Sequence, residues 1–137
     1  MRVVNFQILI FDLTKTSFIA MKVLIITFLF LQTVFIPSEI ITKTGRATYY
    51  ANKFVGRKTT SGEVYRHEKF TAAHKTLPFG TQVTVTNLSN QKSVVVTVND
   101  RGPFGKGLII DLSQSAAKEI GIYGKGTALC QISYELK

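Results

Sequence analysis

The chain has 137 residues, with 17 Lys and Arg against 8 Asp and Glu, two His, one Cys and a formal net charge of +9. That length accommodates one domain at most. Two histidines and a distant Cys130 make no zinc pattern, "GPFGKG" lacks the helix and hydroxyl residue of a phosphate loop, and no stretch reads as a helix-turn-helix or zinc finger. No metal, no cofactor and no nucleic acid are therefore expected.

Met1 to Ile41 is nearly all apolar. Within it, Val23 to Ile36 is a run of 14 uncharged residues, preceded by Met21 and Lys22 and followed by Pro37, Ser38 and Glu39. This is the plan of a secretory signal peptide. The run falls short of the ~20 residues that span a bilayer. Asp12, Lys15 and Lys22 keep it from joining the earlier apolar stretch Val3 to Phe11. Residues 1–42 are expected to be an N-terminal extension plus signal peptide, with translation starting at Met21, and residues 43–137 a folded exported domain. Ser38 is small enough to precede a cut, whereas Ile36 and Pro37 depart from the usual small-residue pattern; a cleaved signal and an uncleaved anchor both stay open. No cysteine follows the apolar run, so a periplasmic or envelope location without lipid attachment is expected. Cys130 reads as a small buried hydrophobe.

From Lys43 onward, "GRATYYA" has a short strand pattern ending in Thr48, Tyr49 and Tyr50. Lys53 to Arg66 is polar and carries two glycines, hence a loop. Phe70 to Ala73 is a short strand before a turn at Leu77 to Gly80. Val83, Val85 and Leu88 alternate with polar residues as a half-buried strand does, and Ser93 to Val98 reads as its hairpin partner across Asn87 to Gln91. Asn99 to Gly107 is a glycine- and proline-marked loop, and Leu108 to Leu112 a brief strand. Ser113 caps a two-turn helix from Gln114 to Ile120 that Gly121 ends. Gly126 to Leu136 closes the domain with Ala128, Cys130, Ile132 and Tyr134 on one side. Many short strands and one short helix predict a small, mainly β barrel.

This domain carries 14 basic against 6 acidic residues, a net +8, which favours an anionic partner such as a membrane surface or wall polymer. Three groups among its turns stand out: Glu63 in "TTSGE", His74 in "TAAHKTLPFG" and Asp100 in "VNDRGPFGKG". Each acid taken alone reads first as a solvated turn residue. Together in loops of a small barrel, they suit acid–base work on a polymer.

The blocks "GRATYYANKFVGRKTTSGEVY", "FTAAHKTLPFGTQVTVTNLSNQKSVVVTVNDRGPF" and "GLIIDLSQSAAKEIG" closely resemble the rare lipoprotein A family of septal-ring lytic transglycosylases, from about Gly45 to Tyr134. The resemblance implies a six-stranded double-psi β-barrel with one or two short helices. It also implies cleavage of peptidoglycan glycan strands, with preference for strands stripped of stem peptides. It carries the family's catalytic positions onto Glu63, His74 and Asp100. Many family members have an acylated cysteine and a C-terminal SPOR domain, and this sequence shows neither, so septal targeting is not implied. Cell-division and envelope proteins are candidate partners, and a monomer is expected.

A lytic transglycosylase protonates the leaving glycosidic oxygen while the sugar becomes oxocarbenium-like. It then takes a proton from the C6 hydroxyl of N-acetylmuramic acid (MurNAc) as that oxygen closes onto C1. One group in both roles needs a pKa near neutrality. The expected carrier is Asp100, with Glu63 raising its pKa or stabilising ring charge and His74 orienting one acid. Tyr49, Tyr50, Lys75, Arg101 and Phe104 are expected groove residues, although Tyr49 and Tyr50 lie on opposite strand faces and one of them belongs in the core. Asp111 in "LIIDL" is expected to be structural, satisfying backbone donors at the start of the short helix. Two other readings remain: a non-catalytic, expansin-like wall-binding module, and a hydrolase in which water replaces the C6 hydroxyl.

Overall fold

The computed structural model describes residues 6–32 and 38–136. It divides into two compact units, the first within Met1–Pro37 and the second from Ser38 onward. In the first, helix α1 (Phe6–Gln32) runs unbroken through Asp12, Lys15 and Lys22. Its apolar side chains from Phe18 to Phe28 are exposed. Among the described residues, no helix is long and apolar enough to cross a membrane. Ile36 and Pro37, at the expected cleavage region, lie outside the described residues.

The second unit is the expected barrel. Its strands are β1 (Ile40–Tyr49), β2 (Thr71–Ala73), β3 (Gln82–Asn87), β4 (Ser93–Asp100), β5 (Leu108–Leu112) and β6 (Ala128–Glu135). They close in the order β1-β5-β2-β4-β3-β6. The β1/β5 and β2/β4 pairs are parallel and the other four antiparallel. β1 starts at Ile40, ahead of the expected boundary at Lys43, because Ile40 to Thr44 pair with Glu135 to Gln131 of β6 and complete the closure. A single 3-10 turn (Asn52–Phe54) and the bridge between Lys58 and Val64 give the expected Lys53–Arg66 loop some order.

Period-two alternation sends Val83 and Val85 of β3, Val94, Val96 and Val98 of β4, and Cys130, Ile132 and Tyr134 of β6 into one buried core with Ile110 and Leu112. Helix α2 (Gln114–Glu119) covers one end with Ala116, Ala117 and the following Ile120. Ser113 caps it through Oγ, which accepts from the Ala116 N–H, and Asn87 and Asn90 donate to the free Ile120 carbonyl at its other end.

Two bulges interrupt the parallel pairings. Ile109 is passed over between the Arg46–Leu108 and Ala47–Ile110 pairs, and Asn99 between Ala72–Val98 and Ala73–Asp100. The first bulge needs Gly45, since a Cβ there would collide with the Ile109 side chain at Cγ2. Gly45→Ala is expected to destabilise the barrel by about 1–3 kcal/mol through overpacking, seen as a lower midpoint in thermal unfolding.

Candidate active site

The bulge at Asn99 decides where Asp100 points. Ala72 and Val98 face the barrel core, whereas Ala73 joins a second apolar cluster outside it with Tyr50 and Tyr65. Without the extra residue, Asn99 would pair with Ala73 and Asp100 would turn toward the core. With it, Asp100 pairs with Ala73 and shares that outer face. On the other side of β2, Ala73 pairs with Asp111 of β5. Asp100, Ala73 and Asp111 thus form one row across three strands, the two acids separated by roughly 10 Å between Cα atoms, twice the strand spacing.

The row opens into a groove of about 420 Å³ lined by both acids, Tyr50, Phe54, Tyr65, Arg57, Lys58, Arg101 and Phe104 among others. Phe104, 85 % exposed, stands at its edge. Beyond Asp100, Gly102 adopts φ +132, a conformation that favours glycine, and the chain turns away from the groove.

Asp100 is held by four donors. Its Oδ1 accepts from the Thr60 N–H (2.8 Å), the Thr60 hydroxyl (2.7 Å) and the Arg101 N–H (2.8 Å), and its Oδ2 from the Tyr50 hydroxyl (2.7 Å). Burial pushes this carboxyl up, but the bonds from Thr60, Tyr50 and Arg101 outweigh burial and hold it below the ordinary carboxylate value. Asp100 is therefore an anion at neutral pH, the opposite of the raised pKa expected for it. Tyr50, buried and donating to Asp100, is correspondingly harder to ionise.

Asp111 has the reverse environment. Its Oδ1 is buried and has no hydrogen-bond partner. Burial, then the negative charge of Asp100, pushes its carboxyl up to about 7. The expected role of satisfying backbone donors at the helix start is not what the orphaned oxygen does; Ser113 Oγ serves that end.

Tyr50, Asp100, Arg101 and Phe104 line the groove; Tyr49, Glu63, His74 and Lys75 do not. Tyr49 packs on the barrel core and on Tyr123, and its hydroxyl accepts from the Gly124 N–H. Lys75 is exposed. Glu63 is exposed as well, and its Oε2 accepts from Asn99 Nδ2 (3.0 Å). The Ser61 N–H donates to the Asn99 carbonyl (3.2 Å), so the turn that carries Thr60 is tied to the bulge residue at two points. His74 is buried, and its Nδ1 accepts from the N–H groups of Thr76 and Leu77. Burial, then Lys43, Arg101 and Lys75, lowers its pKa and keeps it neutral. That turn in turn holds Arg101, whose Nη1 donates to the carbonyls of Leu77 (2.9 Å) and His74 (3.3 Å) while its guanidinium lies 3.9 Å from the Phe79 ring centroid. Among the described residues, no three of His, Cys, Asp and Glu could hold a metal ion.

Thr60 is missing from the sequence expectations because an ordinary turn hydroxyl carries no sequence signal. Asp111, expected there to be structural, had a signal for more: a lone acid inside an apolar strand is costly and calls for a reason.

The lytic transglycolase family matches residues 42–132, the whole span from β1 into β6. The chain belongs to this family. Relatives include the endolytic peptidoglycan transglycosylase RlpA of Pasteurella multocida, 60% identical over 82 residues, or 60% of this chain and 28% of that protein. The protein of the same name from Haemophilus influenzae is 54% identical over 90 residues, covering 66% and 31%. This chain thus spans about a third of the length of these relatives. Among solved structures, the Streptomyces papain inhibitor aligns with a TM-score of 0.57 at 23% identity, over 75% of this chain and 100% of its own. An expansin from Clavibacter michiganensis, solved with cellohexaose, aligns at 0.54 and 20% identity, over 71% and 51%. These likenesses show the double-psi β-barrel fold alone.

The groove makes stability depend on pH through Asp111. Its folded pKa is raised, so its proton is bound more tightly in the folded than in the unfolded chain, and this support is lost as pH rises toward about 7. Between about pH 5 and pH 8 the group should cost the fold on the order of 2–3 kcal/mol. Asp111→Asn should remove that loss, so that denaturant unfolding shows the variant gaining on wild type as pH rises.

Proposed function

We propose that this chain is an endolytic peptidoglycan lytic transglycosylase. It cleaves the β-1,4 bond between MurNAc and N-acetylglucosamine (GlcNAc), leaves 1,6-anhydro-MurNAc ends, and prefers strands lacking stem peptides. The observation that carries this reading is the anchored Asp100 carboxylate on the floor of an open groove with Arg101 beside it and Phe104 at the edge. Family membership and the names of the relatives support it.

In this reading Asp100 works as an anion. The glycosidic bond breaks as positive charge grows on C1 and the ring oxygen, and a carboxylate already fixed by four donors need not reorganise to stabilise it. Phe104 and Phe54 offer apolar faces to the sugars, and Arg57, Lys58 and Arg101 supply donors and positive charge for an acidic glycan. Glu63 and His74 act here through the loops they brace, by way of Asn99 and Arg101. The chain works outside the cytoplasmic membrane, a location supported by the apolar segment at Val23–Ile36.

Digestion of purified sacculi and of denuded glycan by the full chain, with products identified by mass spectrometry, tests the reading. Anhydro ends support it. Reducing ends would mean that water is the nucleophile, and retained binding without release would leave a wall-binding module of the expansin kind. Asp100→Asn should lower release by about 100-fold or more while glycan pull-down persists.

A further inference from the structure

Departure of the GlcNAc oxygen requires a proton, and most groups near the groove are unable to give one. Asp100 is ionised and its oxygens are filled by four donors. The Tyr50 hydroxyl spends its hydrogen on Asp100. Glu63 lies outside the groove and is bonded to Asn99. His74 lies outside it too, and its Nδ1 is committed to the turn at Thr76 and Leu77.

Asp111 is differently placed. It lines the groove, shares a sheet row with Asp100 across Ala73, and buries an oxygen to which nothing donates. An ionised carboxylate with such an oxygen lacks compensation for lost hydration, whereas the neutral acid is far less costly to bury. The middle residue of the row, Ala73, is itself buried in a cluster with Tyr50 and Tyr65.

We propose that Asp111 is the proton carrier of the reaction, a catalytic residue that faces the ionised Asp100 across Ala73 and serves first as acid and then as base. The role rests on the lytic reading of the groove. Asp111 gives its proton to the glycosidic oxygen as the C1–O bond breaks, and the bonding electrons leave with the GlcNAc 4-hydroxyl. The C6 oxygen of MurNAc then bonds to C1, and its proton passes to the Asp111 carboxylate. The acid is regenerated and no water is consumed. Each half of the cycle leaves one proton on the pair at most, with Asp100 anionic throughout. The two acids thus divide tasks that the sequence assigned to one. The charge of Asp100 helps hold the proton on its neighbour.

Two measurements on the full chain test this. The first needs no turnover: the infrared difference spectrum between wild type and Asp111→Asn should contain a protonated carboxyl band at neutral pH that disappears as pH is raised. A spectrum showing Asp111 ionised at neutral pH would overturn the proposal whatever the enzyme's activity. The second is release of anhydro ends. Asp111→Asn should lower it by about 100-fold or more with glycan binding retained, and the loss of wild-type kcat/KM above neutrality should track the infrared titration. Release by the Asn variant within a few-fold of wild type would sink the role. If that variant fails to fold, the wild-type profile decides: a rate that stays flat well past the pH at which neutral carboxyls ionise rejects a proton carried by Asp111. Wild type that releases no anhydro ends overturns the lytic reading and the transfer role with it. A protonated band alongside such inactivity would separate that failure from a misjudged Asp111.

Discussion

The one-residue bulge at Asn99 governs this site. A β-strand alternates its side chains strictly, so the valines that fill the barrel from β4 dictate which of the next residues point out. Val94, Val96 and Val98 face inward, and the regular continuation would send Asp100 in after them. The extra residue moves it onto the outer face opposite Ala73, where Tyr50 and Thr60 meet it. Asn99 is not left idle by the irregularity. It is buried, its side chain binds Glu63, and its carbonyl receives the Ser61 N–H.

From this placement follows an electrostatic division between two like groups. Asp100 gathers donors from three chain segments, and those bonds win over burial. Asp111, in the same row, has burial and a negative neighbour with nothing to offset either. Two carboxyls with opposite environments in one groove form the arrangement that acid–base chemistry on a glycosidic bond calls for. The orphaned oxygen is a destabilising element, of the kind a barrel with a well-filled valine and isoleucine core can tolerate at a working site.

Residues outside the groove matter through what they hold. His74 gathers two N–H groups into a turn whose carbonyls grip Arg101, and Arg101 lies on Phe79. Glu63 binds Asn99 close to Thr60, itself an Asp100 donor. Both residues of the family pattern are therefore connected to Asp100 by a short path of hydrogen bonds and backbone, without either touching its carboxyl.

Much of the barrel was legible in the amino-acid sequence because alternation and turn residues are local. The valines of β3 and β4, the alternating β6, the Ser113 cap and the Gly121 stop all express preferences of a few neighbouring residues, and the family motifs ran in order from Gly45 to Tyr134. The long β1 was not legible before "GRATYYA", since Ile40 to Thr44 are strand only by pairing with a segment ninety positions away. The site depended still more on distance along the chain. Asp100 and Asp111 come together through a parallel and an antiparallel pairing with β2 and a bulge, and Thr60 reaches Asp100 from a distant loop, none of which leaves a mark in local composition. The ionisation of the two acids was decided there as well: a pKa responds to the donors and charges within a few ångströms, and only the closed barrel brings donors to one aspartate while denying them to the other.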